Sequence, residues 1–131
     1  MTYNDVCKKL FNCEKYYTDA SGEIRLSNTS NIIQYETDPN NATTKHQLVC
    51  IMAKNMLANV AKYLNDGWKP DRCSYKYCIN NYYGNLVVYS TKGECSICLG
   101  QSIFKTKELA QQAIEILGEE TVKLALEPLG I

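Results

Sequence analysis

Seven cysteines and a single histidine are the residues best equipped for chemistry in this 131-residue chain. Four of the cysteines form two pairs. Cys73 and Cys78 enclose four residues, and after sixteen intervening residues Cys95 and Cys98 enclose two. That separation lies in the range of four-cysteine zinc sites, and thiolates suit zinc in a reducing compartment. Two features oppose it. The first pair has the wider spacing and lacks a turn glycine. On a regular strand, moreover, the members of either pair sit an odd number of positions apart and point to opposite faces. A zinc site built on Cys73, Cys78, Cys95 and Cys98 therefore requires a tight turn at each pair, which Gly93 and Gly100 can supply at the second. The competing reading is of ordinary thiols packed as small hydrophobes. The packed-thiol reading ranks first, so no cofactor is expected, zinc being the alternative the four cysteines would suit.

Nucleophilic catalysis by a cysteine–histidine pair would have to use His46. It falls in the first turn of an expected helix, with no favoured cysteine near it in sequence, and such a histidine is usually just solvated. The chain contains no phosphate loop, metalloprotease motif or serine elbow. Glu119 and Glu120 follow Gly118 at the start of a helical turn, where carboxylates support the helix dipole. These features predict a protein that is not an enzyme.

Tyrosines are the third candidate. Tyr75, Tyr77, Tyr82, Tyr83 and Tyr89 fall on or between two expected strands, with Arg72, Lys76 and Lys92 nearby. Exposed aromatics anchor protein interfaces or stack bases. Formal net charge is zero and no basic block occurs, so the electrostatic footprint of a nucleic-acid groove is missing and protein recognition ranks above nucleic acid. The opposing reading is that about half of these rings pack the helix side of the sheet. By alternation Tyr75 and Tyr77 share one face and Lys76 takes the other.

The elements that must position these groups are legible to different degrees. Clearest is the run from Ser102 to Leu126. A short apolar strand reaches Thr106, a helix runs to Leu117, Gly118 breaks it, and a further helical turn or two ends before Pro128. Leu109, Ala110, Ala113, Ile114 and Leu117 form its apolar stripe. Thr44–Leu64 is the second strong element. Thr44 and Gln47 fit a capping box, and Val49, Met52, Ala53, Met56, Leu57, Val60, Tyr63 and Leu64 make a broad apolar face. Asn65-Asp66-Gly67 ends it.

Trp68, the sole tryptophan, is expected to plug the gap between that helix and the sheet, the alternative being a stacking platform for a ligand. Strands are expected at Ser74–Asn80, Leu86–Ser90 and about Ser96–Phe104. Short turns at 81–85 and 91–94 join them into an antiparallel meander.

The N-terminal part is less defined. Thr2 to about Tyr16 reads as an amphipathic helix capped by Thr2, with Tyr3, Val6, Cys7, Leu10 and Cys13 at helical spacing. That stripe reads as core-facing ahead of partner-binding. Ser21-Gly22 signals a turn, Glu23–Leu26 a strand edge, and Asn31–Tyr35 a further short strand.

The expected architecture is α+β. A helix–meander–helix core over 43–131, with three or more antiparallel strands and two amphipathic helices, follows a variable helical or mixed appendage over 1–42. The N-terminus has no uninterrupted apolar segment of a signal peptide, and no run approaches the ~18 residues of a membrane span. An odd cysteine count without an export signal predicts a reduced, cytoplasmic protein.

Several of these stretches resemble a family of uncharacterised bacteriophage and prophage accessory proteins. The matching features are Ala61–Asn65, Gly67–Asp71, Lys76–Ile79, Ile103–Thr106, Glu108–Ala110 and Ala113–Glu120. The match covers about residues 43–126. The chain departs from the family's usual pattern at Cys78, where an aromatic is expected, and at the Cys95–Cys98 pair. What the resemblance implies is an origin in a phage gene acting inside a bacterial cell, where such genes often disable host defence. The function expected is inhibition of a bacterial defence effector, a CRISPR nuclease being the most natural target, by protein–protein contact through the tyrosine-bearing strands and the N-terminal region. Two rivals stand beside it: a binder that sequesters a small nucleotide signal, and a zinc-stabilised module associated with nucleic acid.

Overall fold

The computed structural model describes residues 1–11, 14–27, 41–71, 73–92 and 101–130. Its elements are α1 (Tyr3–Phe11), β1 (Lys15–Thr18), β2 (Ile24–Ser27), α2 (Lys45–Asn65), β3 (Tyr75–Tyr82), β4 (Asn85–Lys92), α3 (Lys107–Leu117) and α4 (Glu119–Leu126). The fold is α+β. The chain divides into two units, Met1–Ile51 and Met52–Ile131, so the division falls inside α2.

In the first unit Thr2 and Asp5 cap α1 reciprocally. The Asp5 amide donates to Thr2 Oγ1 at 3.2 Å and the Thr2 amide to Asp5 Oδ2 at 2.9 Å. Within the expected stripe only Cys7 is buried; Tyr3, Val6 and Leu10 are exposed, and Cys13 lies outside the described residues. The helix is described to Phe11, and Lys15 and Tyr16 belong to a strand where a helix was expected to continue.

The reason is non-local pairing. Tyr16 lies opposite Leu26 in the antiparallel β1–β2 hairpin and exchanges two backbone hydrogen bonds with Ala42. Asp19 holds the hairpin loop: its Oδ1 accepts from the Ser21 amide, the Ser21 hydroxyl and the Glu23 amide, and its Oδ2 accepts from Arg25 Nε. The possible-strand stretch Asn31–Tyr35 lies outside the described residues.

The start of α2 carries part of the expected capping box. The Gln47 amide donates to Thr44 Oγ1 at 3.1 Å, but the Gln47 side-chain oxygen accepts from the Thr43 amide and hydroxyl, one residue earlier than that motif requires.

The second unit holds a core of Ala53, Leu57, Ala61, Ile79, Phe104, Ala110, Ala113, Val122 and Ala125. Five of these nine are alanines, which let helix and sheet backbones approach closely around the one large buried ring, Phe104. The α2 face is narrower than expected, since Met56 and Tyr63 point to solvent. Thr106 caps α3 by accepting from the Leu109 amide at 3.2 Å. Gly118 closes it at φ 86°, a conformation that favours glycine. Lys54 Nζ donates to the carbonyls of Ala125 and Glu127, placing a cation at the negative end of α4.

Strands β3 and β4 pair antiparallel from Tyr75↔Lys92 to Tyr82↔Asn85. The described strands thus form two two-stranded sheets, without the meander of three or more. Most of the expected third strand, 96–100, lies outside the described residues. At its end Phe104 makes a single antiparallel bridge to Tyr77, on the β3 side, where a meander would have placed it beside β4. Tyr77 and Phe104 exchange both backbone hydrogen bonds, at 3.0 and 2.8 Å. Among the described residues no helix is long and apolar enough to cross a membrane.

Candidate functional site

The β3–β4 register distributes the five tyrosines. Side chains alternate across a strand. Tyr75 and Tyr77 therefore share the face that carries Ile79, Leu86 and Val88, and Tyr77 packs against the core with these three. Tyr75 is exposed at the open end of the hairpin, with the Lys92 ammonium 5.5 Å over its ring. Tyr89 stands on the opposite face, across from Cys78, and its hydroxyl donates to Gln101 Oε1 at 2.9 Å. Tyr82 is also on that face, and Tyr83 is in the turn. The five rings do not make one platform; Tyr82 and Tyr83 alone come together.

They meet because the turn is shorter than expected. Tyr83 and Gly84 are its two central residues, at φ 50° and 86°. Positive φ at both positions is the type I′ pattern, one of the two-residue turns whose twist matches the strands they join. The Asn81 side-chain oxygen accepts from the Gly84 amide at 3.0 Å and braces it. The two rings meet edge to face at 4.6 Å and 79°. Tyr82 is 60 % exposed and Tyr83 89 %. Around them Asn80, Asn81 and Asn85 are exposed, and the tip from Asn80 to Asn85 contains no charged residue.

The structure does not bring Cys73 and Cys78 together. Cys73 is exposed in a turn held by Asp71, whose Oδ1 accepts from the Cys73 amide, the Ser74 amide and the Ser74 hydroxyl, each at 2.8 Å. The hydrogen bond from the Ser74 hydroxyl, followed by those from the two amides, holds the Asp71 carboxyl below its ordinary value. Cys78 is wholly buried on β3, three positions past Tyr75 and so about 10 Å along an extended strand. Extended backbone stands where zinc would need a turn. Cys95, Cys98 and Arg72 lie outside the described residues.

Two features depart from the first expectation drawn from the sequence. His46 does have a cysteine neighbour: Cys50 Sγ is 3.6 Å from its Nε2. The i,i+4 spacing on a helix was the available signal. Cys50 is 1 % exposed, which gives a substrate no open approach to the thiol. The second is Trp68, expected between helix and sheet. It is half-buried, absent from the core of the second unit, and lines two adjoining clefts beyond the end of α2, of about 950 and about 540 Å³. A third cavity of about 690 Å³, lined by Lys54, Leu57, Ile79, Phe104 and Leu129, is mainly apolar, and its lysine already serves the α4 carbonyls.

Glu119 and Glu120 occupy the first turn of α4. Glu120 lies 3.7 Å from Lys123, in keeping with a helix-end role. No family model matches the chain, and no curated protein or solved structure matches it.

Proposed function

We propose that this chain is a non-enzymatic binding protein that engages another protein through the β3–β4 hairpin tip. The observation that carries the reading is the Tyr82–Tyr83 pair, two large rings held in solvent at a turn that places a tyrosine at positive φ. Positive φ strains a bulky residue, and such strain is kept where it positions a group for use. Tyrosine flanked by asparagine and glycine gives large contact area at low conformational cost, with adaptable hydrogen bonding around it, as in the binding loops of antibodies. An uncharged tip suits a partner pocket of neutral chemistry.

The partner class comes from the resemblance to phage accessory proteins. It makes a bacterial defence effector, a CRISPR nuclease first, the target to try, with the protein acting in the host cytoplasm. The rings would occupy a working surface of that protein, because binding energy concentrates in a few aromatic anchors. In a DNA-cleavage assay with added protein, Tyr82→Ala or Tyr83→Ala is expected to weaken inhibition at least tenfold, on the order of a hot-spot loss, while the thermal midpoint stays within a few degrees. Retained inhibition by the double variant removes the tip from the interface, and loss of folding in either single variant reduces the pair to a structural role.

A further inference from the structure

The Trp68 clefts carry an inference independent of the hairpin tip. A chain's only tryptophan usually belongs to its core, where so large a ring buries most area. Here it is left half-buried at the rim of two clefts that share the segment from Leu64 to Trp68. Tyr63, 77 % exposed, lines the larger cleft beside it. Lys62 and Lys69 border that cleft and Lys105 the smaller one, against a single acid, Asp66. In a chain of zero net charge, three lysines to one aspartate is a local positive excess. Among the described residues the ion pairs lie elsewhere: Arg25 with Asp19 and Glu23, and Lys123 with Glu120. The amides of Asn59 and Gln112 add donors and acceptors to the larger cleft.

We propose that the larger cleft binds a nucleotide, with the base stacked on the Trp68 indole and the phosphate held by Lys62 and Lys69, Lys105 of the adjoining cleft adding positive charge. Each feature answers one part of that ligand. A flat aromatic face is attracted to an indole. A phosphate is attracted to ammonium groups as point charges. The side-chain amides suit the polar edge of a base. The volume falls in or near the range of small-molecule sites, roughly 300–1,000 Å³. A nucleotide free in solution and a nucleotide within a single strand share this chemistry.

Trp68 reports on the site directly, because its fluorescence can be excited apart from that of the tyrosines. The full chain is titrated separately with AMP, GMP, CMP and UMP, then with adenosine, inorganic phosphate and an oligoadenylate. Saturable quenching is expected with at least one nucleoside monophosphate. If AMP is that ligand, adenosine should bind at least about tenfold more weakly, in line with a lost charge-assisted contact. Lys62→Ala and Lys69→Ala should each weaken binding by a similar factor with an unchanged melting midpoint. Trp68→Ala, followed by calorimetry, should weaken it about tenfold. Tyr83→Ala should change nothing, which separates this site from the hairpin tip. A stronger response to the oligoadenylate than to AMP marks a strand as the source of the nucleotide, and an equal or weaker one marks the free nucleotide. No saturable quenching by any of the four, quenching by phosphate alone equal to that by the nucleotides, or lysine variants that bind like the parent overturns the proposal.

Discussion

Tyr83 is the residue at which stability and the proposed binding role pull apart. It occupies a positive-φ turn position better suited to asparagine, and Gly84 already follows it. Tyr83→Asn should therefore stabilise the hairpin by about 0.5–1 kcal/mol by relieving left-handed strain, read as a higher urea midpoint, while weakening partner binding. A variant that is both less stable and fully active would detach the strain from function. Asp71 gives a pH signature. Its folded carboxyl titrates below 3.8 because the Ser74 hydroxyl and the Cys73 and Ser74 amides stabilise the anion. As pH falls, the unfolded chain takes up the proton first. The contribution is thus complete above 3.8 and lost as pH drops through the lower folded value. Asp19, lowered chiefly by the Ser21 hydroxyl and then by Arg25, acts in the same direction. Asp71→Asn should flatten the acid limb of a stability–pH curve without altering the plateau's slope, and an unchanged limb would show that the turn forms without the charge.

Between elements, Asn65 joins the end of α2 to the start of α3. Its Nδ2 donates to the Ile103 carbonyl at 2.8 Å and its Oδ1 accepts from the Lys105 amide at 3.0 Å. Asn65→Ala should cost about 1–2 kcal/mol by removing a part-buried hydrogen bond to the Ile103 carbonyl and an exposed one from the Lys105 amide, with faster hydrogen exchange at the Lys105 amide. Equal exchange in both proteins would mean another group holds the segment. The cap at Thr44 and the break at Gly118 were legible because each depends on residues within one turn. The Asn65 clamp was not, because its partners lie 38 and 40 positions away. For the same reason the first helix was read too long: the pull of Ala42 and Leu26 on Tyr16 leaves no mark on local spacing.

Across the whole molecule, the chain depends heavily on one ring. Phe104 is fully buried among alanines and aliphatic side chains in the second unit and ties its backbone to Tyr77. Phe104→Ala should cost about 3–5 kcal/mol, a large share of the roughly 5–15 kcal/mol that holds a domain folded. Circular dichroism melts would register it as a fall of many degrees, and a fall of only a few would mean the core collapses around the gap. The α+β class and the helices of the second unit were determined by the amino-acid sequence alone, since apolar spacing, caps and a breaking glycine act over a handful of neighbouring residues. Only the tertiary structure decided that Phe104 joins β3 instead of β4, that two of five tyrosines meet at the tip, and that Trp68 stands outside the core. Those outcomes depend on strand register and on how much room the alanine-lined core leaves, and both are set by contacts between residues far apart in the chain.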